Sequence, residues 1–68
     1  MNNNTVYVAT ATYGLHDEYS EEVVCASTNL ELCQAVIHNF RCPDRIGDKH
    51  KYIEVWTNGI KVKTIDIE

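Results

Sequence analysis

The sequence predicts a small α+β domain in the order β-β-α-β-β, with a four-stranded, mainly antiparallel sheet and one helix packed on one face. Three features predict it: an alternating apolar strand near the start, a capped amphipathic helix in the middle and an Asn-Gly hairpin at the end. Residues 1–68 form one domain, in which residues 1–4 are expected to fray. One short helix covers one face of the sheet, so we expect the other face to be open.

The first two strands are predicted to pair in antiparallel fashion. Residues 5–13 predict the first strand, with Val or Thr at positions 6, 8, 10 and 12 on one face and Tyr or Ala at positions 7, 9, 11 and 13 on the other. Both faces are partly apolar, which is typical of a strand in the interior of a sheet. Residues 14–20 predict a connecting loop with acidic residues, and residues 21–26 predict the second strand.

A single helix is predicted after the second strand. Thr28 and Glu31 have the spacing of a capping box, in which a hydroxyl and a carboxylate each accept a hydrogen bond from a free backbone N–H. The helix is expected to end before Cys42-Pro43, because a residue that precedes proline avoids the helical conformation. The stripe expected to pack on the sheet consists of Leu30, Cys33, Val36, Ile37 and Phe40.

Residues 41–51 predict a polar loop, and a hairpin closes the chain. Asn58-Gly59 between two apolar runs indicates a type I′ turn, because both central residues of that turn need positive φ. Uninterrupted pairing from the turn places Trp56 opposite Lys61 and Glu54 opposite Lys63. The expected core face holds Ile53, Val55, Thr57, Ile60, Val62 and Thr64. The expected outer face holds Tyr52, Glu54, Trp56, Lys61, Lys63 and Ile65, with Tyr7 and Tyr13 as further candidates for exposed aromatic surface.

Two groups of residues are candidates for binding a partner. On the outer hairpin face, aromatic rings and charges lie together, and such rings bury a large area at low entropic cost. That group is Tyr52, Glu54, Trp56, Lys61 and Lys63. An acidic cluster forms the second group and suits a basic partner, or is simply a solvated loop and strand edge. That group is Asp17, Glu18, Glu21 and Glu22.

The sequence predicts no enzyme, no metal site and no cofactor. Its three histidines lie in unrelated contexts, and it has no nucleophile-elbow, phosphate-loop or zinc-protease motif. Cys33, His38, Cys42 and His50 are metal-type ligands, but their spacing is wider than that of known zinc sites. With Cys25 the cysteines are odd in number and lack a close pair, so we interpret them as reduced thiols.

Net charge and hydropathy restrict the partner and the location. The net charge is −4, with five carboxylates and no Lys or Arg in the first 40 residues. An acidic balance repels phosphate backbones and argues against general nucleic-acid binding. No apolar run is long enough for a membrane span or a signal peptide, so we expect a cytoplasmic protein with no membrane partner.

The chain resembles the small accessory proteins encoded by tailed bacteriophages. The resemblance lies in the Val-Tyr-Val-Ala strand at residues 6–9, the charged turn, the second strand, the capped helix and the Ile-Glu-Val-Trp-Thr-Asn-Gly run at residues 53–59. It implies an anti-defence or anti-CRISPR type of inhibitor in the host bacterial cytoplasm. Such a protein is non-enzymatic and blocks a bacterial host protein, for example a nuclease or defence component, by stoichiometric binding.

Two other functions stay open from the sequence. A structural homodimer would pair its open sheet faces and need no foreign partner. A nucleic-acid-binding module would use the basic C-terminal half of the chain despite the overall negative charge. Its cationic residues would be Arg41, Arg45, Lys49, Lys51, Lys61 and Lys63.

Overall fold

The computed structural model describes residues 4–15, 18–41 and 48–67, and it confirms the α+β fold in the order β-β-α-β-β. The elements are β1 (Thr5–Leu15), β2 (Glu18–Ser27), α1 (Leu30–Asn39), β3 (Asp48–Thr57) and β4 (Ile60–Ile67). The strands form one open antiparallel sheet in the order β2-β1-β3-β4. Within the described ranges, no helix has the length and hydropathy needed to cross a membrane.

The first hairpin has longer strands than the sequence predicts. Leu15 at the end of β1 pairs with Glu18 at the start of β2, so the loop predicted over residues 14–20 is wrong at residues 14–15 and 18–20, while residues 16 and 17 lie outside the described residues. The polar residues of this region are compatible with a strand because β2 is an edge strand, where charged side chains reach solvent. A register shift after Ala9 leaves Val24 as an extra residue in β2.

The helix begins one residue later than the predicted capping box. Asn29 is the N-cap, and its side chain accepts a hydrogen bond from the Leu32 N–H at 3.2 Å. The Ser27 hydroxyl oxygen accepts a bond from the Asn29 N–H at 3.0 Å. The predicted cap at Thr28 is therefore wrong, and the physical reason is that asparagine caps at least as well as threonine and is held in place by Ser27.

The predicted helix stripe is buried or partly buried, as expected, and it packs mainly on β2 and β1, with fewer contacts to β3 and β4. The buried core residues are Ala9, Ala11, Cys33, Ile37 and Ile53. Partly buried side chains surround them, namely Tyr7, Val24, Cys25, Leu30, Phe40, Ile65 and Ile67. The two core alanines of β1 are small, which allows the helix to lie close to the central strand.

A lysine of β3 closes the other end of the helix. The backbone N–H of the C-cap residue Phe40 donates to the Ile37 carbonyl, and the Lys51 ammonium donates to the carbonyls of Phe40 at 2.7 Å and His38 at 3.4 Å. A cation at this position also complements the helix dipole. β3 begins at Asp48, so the loop predicted over residues 41–51 is wrong in its second half, and residues 42–47 lie outside the described residues.

The C-terminal hairpin has the predicted turn. Asn58 and Gly59 have φ of 53° and 82°, as a type I′ turn requires. The first two pairs, Thr57 with Ile60 and Trp56 with Lys61, are also as predicted. Asn4 adjoins this turn, because the Asn58 N–H donates to the Asn4 carbonyl at 2.9 Å.

Beyond those two pairs the predicted register is wrong. Val62 is the extra residue of a β-bulge, so Val55 faces Lys63 and Ile53 faces Ile65. The bulge turns Ile65 and Ile67 toward α1, where both are partly buried, whereas uninterrupted pairing would turn them to the open side. The expected core positions Ile60 and Val62 are 66% and 57% exposed, and Thr64 lies opposite Glu54.

Candidate functional site

The sheet face opposite α1, here called the open face, carries the candidate site. Because paired residues of neighbouring strands point to the same side, the sheet register defines its members. β1 contributes Val6, Val8, Thr10 and Thr12, and β3 contributes His50, Tyr52, Glu54 and Trp56. β2 contributes Glu21, Val23 and Ala26, and β4 contributes Lys61, Thr64 and Asp66. The predicted aromatic pair of Tyr52 and Trp56 is thus on one surface, whereas Tyr7, Tyr13 and Ile65 are on the helix side.

Glu54 holds two neighbours on the open face. The Trp56 indole N–H donates to Glu54 Oε1 at 3.2 Å, and the Lys61 ammonium lies 3.4 Å from Glu54 Oε2. The predicted pair of Glu54 with Lys63 is wrong, because the bulge at Val62 moves Lys63 opposite Val55 on the helix side. The Glu54 side chain is 21% exposed, so a partly desolvated carboxylate fixes the orientation of the indole ring.

Tyr52 connects β3 with β2 across the central strand. Its hydroxyl donates to Glu21 Oε2 at 2.8 Å. That hydrogen bond, followed by burial and by the negative charges of Glu21 and Glu54, raises the pKa of Tyr52 to about 12, although a hydrogen bond with Thr10 acts in the opposite direction. The phenol therefore stays protonated at physiological pH and remains a donor to the carboxylate.

His50 and Asp66 extend this row toward the end of the sheet. His50 Nε2 lies 3.2 Å from Asp66 Oδ1, and the His50 and Tyr52 rings are 5.6 Å apart with an interplanar angle of 43°. Both side chains of the pair are more than half exposed, so the contact stabilises the fold little. Both residues also line an open groove of about 410 Å³ at this end of the sheet, together with Lys49, Lys51 and Ile67.

Charge separates by face of the sheet. Among the sheet side chains that the structure describes, the open face has three carboxylates and one ammonium group, and the helix side has one carboxylate and three ammonium groups. The open-face charges belong to Glu21, Glu54, Asp66 and Lys61. The helix-side charges belong to Glu22, Lys49, Lys51 and Lys63. Strand alternation, rather than the contrast between the two halves of the chain, produces this separation.

The structure divides the predicted acidic cluster. Glu21 lies on the open face with Tyr52, whereas Glu22 lies on the helix side, where the Tyr13 hydroxyl donates to its Oε1 at 3.1 Å. Asp17 and the side chain of Glu18 lie outside the described residues. Of the second candidate group, the structure therefore brings Glu21 to the hairpin residues and takes Glu22 away from them.

Sequence reasoning missed His50 and Asp66 as members of the row. The signal was present, because His50 precedes Tyr52 by two positions and therefore shares its face in an extended strand. Because residues 41–51 were assigned to a loop, this alternation was not extended back to His50. Asp66 joins the row only through the bulge in β4.

The described groups suit non-covalent recognition. The open face combines two large rings with fixed hydrogen-bond donors and acceptors. In the described ranges, no three His, Cys, Asp or Glu side chains converge as metal ligands. No protein-family model matches the sequence, and comparison with curated proteins and with solved structures finds no match.

Proposed function

We propose that this protein acts as a stoichiometric binding protein that docks a positively charged protein surface on its open face. In line with the resemblance to phage accessory proteins, the partner is a bacterial host protein, a nuclease or defence component, that is inhibited by occlusion. The observation that carries the proposal is the row formed by Tyr52, Glu54 and Trp56, with Glu21 bonded to Tyr52, on a face of negative charge.

The two rings provide anchors that are already ordered. Trp and Tyr are enriched among residues whose truncation weakens protein interfaces strongly. Trp56 is held by Glu54, and Tyr52 is held by Glu21. Side chains that are fixed before binding lose less conformational entropy in the complex, which favours affinity.

The charge of the open face favours a basic partner. Among its described side chains, this face has three carboxylates and one ammonium group, which attract a surface rich in Lys and Arg and repel another acidic surface. Surfaces of nucleases that hold a phosphate backbone are basic for the same electrostatic reason. If the open face covers such a surface of a nuclease, nucleic acid can no longer bind there, and this is inhibition by occlusion.

The same charges weigh against the two alternatives. In a dimer that pairs two open faces, the surplus carboxylates of one copy would face those of the other. A nucleic-acid module would rely on lysines of the helix side, and Lys51 there is already bonded to the helix carbonyls of His38 and Phe40. A basic foreign protein therefore fits the open face better than a second copy or a nucleic acid.

The test is affinity capture from bacterial lysate with three baits: the wild type, Trp56→Ala and Lys63→Ala. Lys63→Ala is the matched control, because it removes an exposed side chain on the helix side of the same hairpin. We expect one protein to be retained by the wild type and by Lys63→Ala and lost by Trp56→Ala. Far-UV circular dichroism checks that all three baits are folded.

Purified components then quantify the interaction. With the captured protein, Trp56→Ala should weaken binding by about 30-fold or more, the loss typical of a central anchor. An equimolar complex with reduced target activity, weakened by added salt, supports the proposal. Full-strength binding by Trp56→Ala contradicts it. Capture of nothing, together with a mass that rises with concentration, would favour the homodimer.

A further inference from the structure

Two cysteine thiols meet between the helix and the edge strand. Cys25 lies in β2 opposite Ala9 and is partly exposed, and Cys33 lies in α1 and is fully buried. Their sulfur atoms are 3.5 Å apart, and Cys33 Sγ is also 3.4 Å from the Tyr7 carbonyl oxygen. Both cysteines are free thiols, and the open-face row does not involve them.

We propose that Cys25 and Cys33 are a dithiol modification site, which closes to an intrachain disulfide by exchange with a small disulfide of the glutathione type. A disulfide bond is about 2.05 Å long, so the sulfur atoms must approach by about 1.5 Å from their present separation of 3.5 Å. Such a displacement is within reach of a small side-chain rotation. The structure thus brings together two cysteines whose spacing of eight residues does not indicate a pair.

Burial assigns the order of the two steps. The Cys25 thiolate attacks one sulfur of oxidised glutathione, forms a mixed disulfide and releases one glutathione thiolate, which takes up a proton. The Cys33 thiol then loses its proton and attacks Cys25 Sγ, and the second glutathione leaves as a thiolate and is protonated. In total two protein thiols are oxidised and one glutathione disulfide is reduced to two thiols.

Cys33 is the resolving thiol for two reasons. It has no exposed surface, so a glutathione molecule cannot reach it in the folded protein. Burial and the hydrogen bond to Cys25 also raise the pKa of the Cys33 thiol to about 11, which keeps it protonated while both cysteines are free thiols.

The disulfide would connect the start of α1 to the edge of the sheet. Closing this short loop restricts the unfolded chain, and for a domain of this size we expect the melting temperature to rise by about 10 °C. The helix contributes Cys33 and Ile37 to the core, so its attachment to β2 bears on the whole fold.

The test is oxidation of the folded full chain with oxidised glutathione, followed by alkylation of free thiols, trypsin digestion without reductant and mass spectrometry. Trypsin cleaves after Arg41 and Arg45, so Cys25 and Cys33 stay in peptide 1–41, while Cys42 lies in peptide 42–45. We expect peptide 1–41 to carry no alkyl group and to be lighter by two hydrogen atoms than the same peptide with two free thiols. Peptide 42–45 should not be linked to it.

Two variants serve as controls. Cys42→Ser should still form the bond and gain the same thermal stability, and dithiothreitol should reverse both effects. Cys25→Ser should form no internal bond between residues 25 and 33 and show no thermal shift on oxidation. The proposal is overturned if peptide 1–41 of the oxidised Cys42→Ser protein carries two alkyl groups, or stops at a glutathione adduct. A link between the two peptides of the wild type overturns it as well.

Discussion

The hydrogen bond from Tyr52 to Glu21 should contribute to folding stability in a way that depends on pH. Tyr52→Phe keeps the ring and removes the hydroxyl, and with it both the 2.8 Å bond to Glu21 across β1 and the hydrogen bond with Thr10. Hydrogen bonds to charged groups contribute about 1.5–3 kcal/mol to stability, and because Glu21 is exposed to solvent we expect about 1 kcal/mol here. Tyr52→Phe should therefore lower the free energy of unfolding by about 1 kcal/mol at neutral pH.

The pH dependence follows from the pKa of Tyr52. Folding raises this pKa from its ordinary value of 10 to about 12, mainly through the bond to Glu21. The folded state thus holds the proton more tightly, and the contribution is complete below pH 10 and disappears as the pH rises toward 12. The stability difference between wild type and Tyr52→Phe should shrink across that window, while lysine titration affects both proteins alike.

Urea unfolding followed by the fluorescence of Trp56 measures both effects. A double-mutant cycle with Glu21→Gln gives the coupling between the two residues, which should be about 1 kcal/mol at neutral pH with an unchanged denaturant slope. Two results would refute the reasoning. The first is that the losses of stability from the two single substitutions simply add in the double mutant. The second is that the stability difference between wild type and Tyr52→Phe stays constant from pH 10 to pH 12.

Three further predictions concern the fold and are checked by urea unfolding. Ile37→Ala should lower the free energy of unfolding by about 2–5 kcal/mol, because it opens a cavity under the helix. A loss as small as that from Gln34→Ala, which changes an exposed residue, would contradict the assigned core. Gly59→Ala should cost about 1 kcal/mol from backbone strain alone, since φ is 82° and nothing lies near an added Cβ; no loss would argue against the turn. Asn29→Ala should lower the free energy of unfolding by about 1 kcal/mol, and Thr28→Ala should change it little. The opposite ranking would show that Thr28 is the N-cap.

Local patterns in the sequence were sufficient to predict most of the fold. Alternation in residues 5–13, the stripe around Ile37 and the Asn58-Gly59 turn each depend on neighbours in the chain, and all three are confirmed. The bulge at Val62 was not predictable in this way. Its cause is the burial of Ile65 and Ile67 against a helix that begins at Leu30, 35 residues before Ile65. Such a tertiary contact leaves no local pattern in the sequence.

The candidate site shows the same division. Tyr52, Glu54 and Trp56 share a face because they alternate along one strand, so the sequence was sufficient to group them. The bond from Tyr52 to Glu21 needs the strand order, which places β1 between their two strands. Lys63 was assigned to the wrong face because a single extra residue reverses every later position of the strand.

The pairing of β1 with β3 makes folding depend on the most distant parts of the chain. Each hairpin closes over a short loop, but the seam between them pairs residues that are 34 apart in sequence at Gly14 and Asp48 and 52 apart at Thr5 and Thr57. Loop closure of that size is entropically costly, so the seam is expected to form late and to set the folding rate. Ala9 and Ile53 lie on opposite strands of this seam, and each hairpin alone would therefore expose its own core residues. Neither hairpin should be stable by itself, and the chain should fold and unfold as one cooperative unit.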